Sequence, residues 1–213
     1  MTPEPRRVAV LGGTFDPVHS GHLALVTGAR DAIGATEAWL LPARAPALRA
    51  EPIAPAQLRL AMLEAAVRGT PHVRVVDIEL RRRGVSHTID TLEGLRISDP
   101  EVVPWWILGA DAARHLHQWH RSEDLLDILH LVVAQRAGER RFDVAEARSL
   151  RLAAERTVVL ELTPPPVSAS QVRRRVASGE PISGLVPAAV ADIIAASGLY
   201  RGAADAIMRA DDA

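Results

Sequence analysis

Apolar positions along the chain fall into two alternating kinds of segment. Short, nearly unbroken runs occur at Val8-Ala9-Val10-Leu11, 37–41, 72–78, Trp105-Trp106-Ile107-Leu108, Leu131-Val132-Val133-Ala134 and Thr157-Val158-Val159-Leu160. They are strand-sized and lack the polar alternation of a sheet with one face in water. Between them lie stretches with helical spacing. One starts near Ser20 or Gly21 and continues through Ala29 and Ile33; another runs from Pro55 to about Arg68 and is closed by Gly69; a third covers 88–96. The alternation predicts an α/β fold, a parallel sheet covered by helices on both faces. Residues 42–54 carry Ala, Pro and Arg without periodicity and read as a loop of functional length, 81–84 as a basic connection, and 137–156 as charged, helical and peripheral.

The most informative joint lies between the first strand and the first helix, at Gly12-Gly13-Thr14-Phe15-Asp16-Pro17-Val18-His19-Ser20-Gly21-His22. Paired glycines let backbone N–H groups approach a bulky anion, and a helix N-terminus behind the turn adds a positive dipole end. His19 and His22, three apart, can project from the first helical turn into one pocket. The stretch is suited to hold phosphate. It is not a dinucleotide fingerprint, because Gly-x-Gly-x-x-Gly is absent, nor a Walker loop, because the chain contains no lysine. Zinc on the two histidines lacks cysteines and a suitably spaced third ligand. A second joint, Gly109-Ala110-Asp111, follows the fourth strand; ligands bind beyond the C-terminal strand ends of open parallel sheets, so both joints are expected to face one crevice. Asp111 can accept from ribose hydroxyls or cap the helix behind it. Arg136, at the end of the fifth run, either meets a substrate phosphate or is an ordinary surface arginine.

Composition narrows the chemistry further. The 213 residues suit one α/β domain, and 48% hydrophobic residues supply a core without disulfides. The absence of cysteine removes thiol nucleophiles and zinc–cysteine sites, and the absence of lysine removes Schiff-base chemistry. A net charge of −1 argues against a nucleic-acid-binding surface. No apolar segment is long enough for a signal peptide or a membrane span, so a cytoplasmic location is expected. The sequence does not specify an oligomeric state.

Gly12 to His22 resembles the signature of the nucleotidylyltransferase superfamily, and later segments extend the similarity towards bacterial nicotinate mononucleotide adenylyltransferases over about nine tenths of the chain. Ser168-x-x-x-x-Arg173 resembles that family's second phosphate motif, delivered after Pro164-Pro165-Pro166. Trp119, eight residues after Asp111, matches the tryptophan that stacks on the pyridine ring, and 83–92 matches a segment whose Thr88 equivalent lies near the nicotinate carboxylate. The resemblance implies a Rossmann-like, doubly wound core (1–163) with a small C-terminal helical part (164–213) in a single domain. It implies ATP binding by Gly12, Gly13, Thr14, Phe15, His19, His22, Gly109, Asp111, Ser168 and Arg173, with His19, His22 and Arg173 carrying catalysis. Mononucleotide binding falls to Thr88, Trp119, Arg49 and Arg136.

The implied reaction joins nicotinate mononucleotide to ATP and releases pyrophosphate. The nucleophile is already an oxyanion, so positioning and charge stabilisation suffice, with Mg²⁺ held by ATP phosphates and water rather than by the protein. A relative acting on another acceptor, such as nicotinamide mononucleotide, or a non-catalytic nucleotide sensor on the same fold would share the first motif. The chain departs from the family at two places. His87 stands where tyrosine is usual, and in 42–49 Ala43 and Leu48 replace an asparagine and a histidine while Arg49 keeps the cation.

Overall fold

A computed structural model describes residues 5–46, 51–136, 140–163 and 165–202. Six strands form one sheet in the order β3-β2-β1-β4-β5-β6: β1 Arg6–Gly13, β2 Glu37–Pro42, β3 Val73–Val75, β4 Val102–Gly109, β5 His130–Arg136 and β6 Thr157–Leu162. The helices are α1 Ser20–Ala32, α2 Ala56–Val67, α3 Ile78–Arg81, α4 Thr88–Ser98, α5 Ala110–Arg114, α6 Ser122–Ile128, α7 Val144–Ser149, α8 Ala169–Ala177 and α9 Ala188–Ser197. Strand order reverses after β3: the chain builds outward from β1, then returns to place β4 on its other side. β4 runs parallel to β1 in the register Val8↔Pro104, Ala9↔Trp105 and Val10↔Trp106, and β5 and β6 continue the parallel pairing. Val8, Ala9 and Val10 have no exposed surface, and Leu131, Val132 and Val133 none either, as the unbroken apolar runs predict for strands covered on both faces.

Two sequence-based expectations are corrected here. The third strand stops at Val75 rather than reaching Ile78. The backbone N–H of Val76 still bonds to the Leu40 carbonyl, but the chain then turns into α3, closed by an Arg81–Asp77 pair at 2.9 Å. Arg81 thus ends a helical turn instead of opening a basic connection. Within 140–156, helix is confined to α7 and a 3-10 turn at Ala154–Arg156, and Phe142, Ala147 and Leu152 are buried, so the segment is not peripheral.

The chain divides into two compact units built from interleaved segments. The first comprises Met1–Gly12, Leu25–Trp39 and His87–Pro164; the second comprises Gly13–Ala24, Leu40–Ser86 and Pro165–Ala213. Among the described residues, no helix is long and apolar enough to cross a membrane.

Candidate active site

In the second unit the strand-to-helix joint forms as its glycines predict. The Gly13 carbonyl accepts from the Ala43 N–H at 2.9 Å, and the chain bends sharply at Phe15, which sits in the left-handed region at φ 52 although it is not glycine. Burial of its ring anchors that turn, and the ring meets His22 edge-on with centroids 5.0 Å apart. His19 and His22 stack at 3.6 Å and 23°, so the i, i+3 spacing does bring both rings together. The His19 backbone N–H donates to Nδ1 of His22 at 3.2 Å. His22 thereby fills the place at the third helical position that a glutamate takes in a capping box. Because a backbone N–H can only donate, the proton of a neutral His22 ring lies on Nε2.

His19 is buried, its Nδ1 has no hydrogen-bond partner, and burial lowers its pKa from 6.5 to about 4. It therefore stays neutral at physiological pH and offers an N–H without a full positive charge. A Cβ added at Gly21 would lie 3.1 Å from the His19 ring and 3.2 Å from Val167, so glycine is what lets the two chain segments close up here. Ser168, next to Val167, caps α8 by accepting from the Gln171 N–H at 3.1 Å. The N-termini of α1 and α8 thus converge. Arg173 of α8 is buried; its Nη1 donates to the Asp16 carbonyl at 2.8 Å and its Nη2 to Ser170 Oγ at 3.1 Å. The structure places His19, His22, Gly13, Thr14, Phe15, Ser168 and Arg173 in this one unit.

The remaining predicted residues, Arg49 apart, belong to the first unit, where the surroundings are more open. Gly12 ends its first segment, and a Cβ there would fall 2.6 Å from Cζ2 of Trp106. Gly109 ends β4 and sits at the N-cap of α5 in extended conformation. Asp111 does not cap that helix: its carboxylate is exposed and accepts from Arg114 Nη1 at 3.0 Å. Trp119 is part-exposed and absent from the core, although a tryptophan in an apolar context would ordinarily be counted there. Thr88 is the first residue of α4, preceded by His87 at the N-cap, which makes no side-chain cap; the Thr88 N–H therefore stays an open donor at a helix start. Ser86, another residue that could have capped α4, instead accepts from the Arg44 N–H at 3.1 Å in the second unit. His120 is not an isolated surface histidine, since its ring lies 4.3 Å from that of His87. Arg136 is the last residue of β5, and its side chain lies outside the described residues, as do Arg49 and Leu48.

Two residues that sequence reasoning missed complete the phosphate loop. Arg59 on α2 is 1% exposed and donates to three carbonyls: Nη1 to Thr14 at 2.7 Å, Nε to Ala54 at 3.2 Å and Nη2 to Arg44 at 3.3 Å. Tyr200, after α9, is 2% exposed and donates to Asp16 Oδ1 at 2.6 Å. Burial, then the Asp16 charge, push the Tyr200 hydroxyl well above its ordinary pKa, so it remains a donor. A signal for Arg59 was present: positions 59, 62, 63 and 66 form the i, i+3, i+4, i+7 stripe of α2, and three of the four are apolar. An arginine in that stripe is either an error of pattern or a buried tie.

The cytidylyltransferase-like family model matches residues 10–175. A relative from Herpetosiphon aurantiacus named "Probable nicotinate-nucleotide adenylyltransferase" is 36% identical over 92% of this chain and 98% of its own length. Relatives with the same name from Bordetella avium and Pseudomonas syringae pv. tomato are 40% identical over 93% and 94% of this chain, and 100% and 96% of theirs. The chain belongs to the nicotinate-nucleotide adenylyltransferase family, within the cytidylyltransferase-like group. Its fold matches that of the solved Plasmodium falciparum nicotinic acid mononucleotide adenylyltransferase complexed with NaAD, at TM-score 0.77 and 16% identity, covering 92% of this chain and 97% of that one. A Vibrio parahaemolyticus structure described as a nicotinate-nucleotide adenylyltransferase matches at TM-score 0.61 and 18% identity, over 92% and 96%. The Rossmann-like reading of the sheet is thus that of the nicotinate-nucleotide adenylyltransferases.

A resident metal does not fit the donors of this family member. Among the described residues, no group of three or more His, Cys, Asp or Glu could hold an ion. The carboxylate nearest the phosphate loop, Asp16, already accepts from the Ile53 N–H at 2.8 Å, the Ala54 N–H at 3.1 Å and the Tyr200 hydroxyl. Asp16 thus ties the turn to the segment ahead of α2 and to Tyr200.

Proposed function

We propose that the protein joins nicotinate mononucleotide to ATP, giving nicotinate adenine dinucleotide and pyrophosphate in the biosynthesis of pyridine nucleotides. The observation that carries this reading is the pair of stacked histidines, His19 held neutral by its burial, at the converging N-termini of α1 and α8, in a chain of this family. A phosphate oxygen of the mononucleotide attacks the α-phosphorus of ATP, and the bond from that phosphorus to the bridging oxygen of pyrophosphate breaks. No proton need be removed from the nucleophile.

The residues act by orienting and by stabilising charge. His22 donates from Nε2 and His19 from its neutral ring to ATP phosphate oxygens, joined by backbone N–H groups of Gly13 and Thr14. Arg173 and the N-terminus of α8 at Ser168 receive charge on the β- and γ-phosphates as pyrophosphate leaves. Gly109 and Asp111 serve the adenosine half, Asp111 by accepting from ribose hydroxyls. Trp119 provides an apolar face for the pyridine ring, and the open N–H and hydroxyl of Thr88 suit a carboxylate; Arg49 and Arg136 supply cations for the mononucleotide phosphate. An anion gains more from such donors than an amide does, so nicotinate is favoured over nicotinamide. ATP enters as its magnesium complex, the ion travelling with the substrate. All of this is expected of a cytoplasmic enzyme of small-molecule metabolism.

Incubating the protein with ATP, magnesium and either mononucleotide, while following pyrophosphate, tests the assignment. Release with nicotinate mononucleotide exceeding that with the amide supports it. No release with nicotinate mononucleotide, but release with another phosphate acceptor, leaves only the wider family.

A further inference from the structure

The buried polar atoms of the second unit converge on Asp16 rather than on the histidines. Its carboxylate, 5% exposed, takes three donors from two places in the chain: the N–H groups of Ile53 and Ala54 ahead of α2, and the Tyr200 hydroxyl from beyond α9. Its own carbonyl takes Nη1 of Arg173. One residue earlier the chain is in the left-handed region, and one residue earlier again the Thr14 carbonyl takes Nη1 of Arg59. Side chains from α2 and from the segment after α9 therefore grip both ends of the three-residue turn 14–16. Tyr200 also holds a positive φ of 67, a conformation that a non-glycine residue adopts at a cost, and the short bond to Asp16 compensates it.

We propose that Tyr200 and Arg59 are positioning residues for phosphate binding: they fix the backbone of Thr14–Asp16, and through the Asp16 carbonyl they fix the direction of the Arg173 guanidinium. The logic is geometric. Arg173 has two neutral oxygen partners in this network, the Asp16 carbonyl and Ser170 Oγ, and the second lies on its own helix. The Asp16 carbonyl is the partner that ties Arg173 to the phosphate loop, and its position is set by what holds the Asp16 carboxylate. Removing the Tyr200 hydroxyl leaves a buried carboxylate oxygen short of one donor, which loosens the turn and lets the guanidinium drift. A shift of a fraction of an ångström in a charge-stabilising group is costly to phosphoryl chemistry, while a group that meets only the adenosine end is unaffected. The inference rests on the adenylyl-transfer reading only where turnover is measured.

The test is Tyr200→Phe, with Arg59→Lys as a second variant that keeps the charge but loses the three-carbonyl grip. Calorimetric affinities for Mg-ATP and for AMP, thermal midpoints and, with acceptor, kcat are compared. ATP affinity is expected to fall about three- to tenfold in each variant with AMP within twofold, and kcat to fall with it. In an Arg173→Ala background, Tyr200→Phe is expected to cost ATP less than it does with Arg173 present, because one of the groups it positions is gone. Loss of thermal stability with ATP affinity and kcat intact in both variants would overturn the proposal, as would an equal loss of ATP affinity with and without Arg173. Because the binding arms need no acceptor, failure of nicotinate mononucleotide as substrate is a separate result.

Discussion

The two units hold their functional residues in opposite ways. Around the loop that follows β1, His19, Asp16, Arg59, Arg173 and Tyr200 are all buried, and the last four are tied together by hydrogen bonds between segments far apart in the chain. In the other unit Asp111, His115 and His117 are exposed, Trp119 and Thr88 are part-exposed, and the polar contacts are short-range ones within the same turn or between surface chains. Under the proposed function, the contrast matches what each would recognise. Charge that shifts during phosphoryl transfer is best met by donors fixed in advance and shielded from water. A ribose, a base or a pyridine ring keeps its charge throughout and needs only a surface of the right shape.

The comparison predicts a ranking. The largest effect belongs to His22→Ala: turnover falls by about 10²–10³-fold, the usual cost of one positioned oxyanion donor, with the fold intact by circular dichroism. Near-normal pyrophosphate release would place the histidine outside the transition state. Next comes Arg173→Ala, which weakens ATP far more than analogues lacking the outer phosphates; equal losses for both would remove Arg173 from the pyrophosphate end. Protonation of His19 gives a third, thermodynamic effect. Its folded pKa of about 4 lies below the unfolded 6.5, so the unfolded chain binds the extra proton between those values. Stability is complete above pH 6.5 and is lost as pH falls towards 4, by a few kcal/mol at most from this one group. Urea unfolding at pH 7.5 and pH 5 should show that drop in the wild type and a smaller one in His19→Gln; identical drops would exclude His19 as its source.

Smaller effects are expected in the open unit. Trp119→Ala raises the acceptor KM by about tenfold and spares kcat, since a stacking face binds ground and transition states alike. A fall in kcat at saturation would show that the ring does more than bind. Least affected should be Glu93→Gln. Glu93 accepts from both Nη atoms of Arg121, at 2.7 and 3.0 Å, but both side chains are about 40% exposed, and water screens such pairs so that they contribute little. A thermal shift as large as that of Tyr200→Phe would erase the distinction between the units.

The fold was legible where hydrophobic runs were long. Five of the six strands lie where unbroken apolar segments put them, and β3 was overextended because Val76 and Ile78 continue the apolar pattern while Asp77 starts a helical turn. The phosphate site was legible because its glycines, histidines and capping serine are local in sequence. Arg59 and Tyr200 were not: their partners stand 45 and 184 residues away, at Thr14 and Asp16. Nothing in a single sequence announces a contact of that span. Even the clue at Arg59, a charge in an apolar stripe, says that a partner exists without saying where. Of the two roles the sequence leaves open to Asp111, capping is not taken: Gly109 is the N-cap residue and Arg114 donates to the carboxylate.

Gly12 and Trp106 stand 94 positions apart, yet a methyl group at one would collide with the indole of the other at 2.6 Å. Gly12 is therefore not free to vary alone. A lineage that accepts alanine at 12 must first, or at once, accept a smaller side chain at 106, and the intermediate with alanine facing tryptophan is a valley between two viable sequences. Gly12→Ala should be harmful by itself and mild beside Trp106→Leu, which makes the pair a single heritable unit written on two strands.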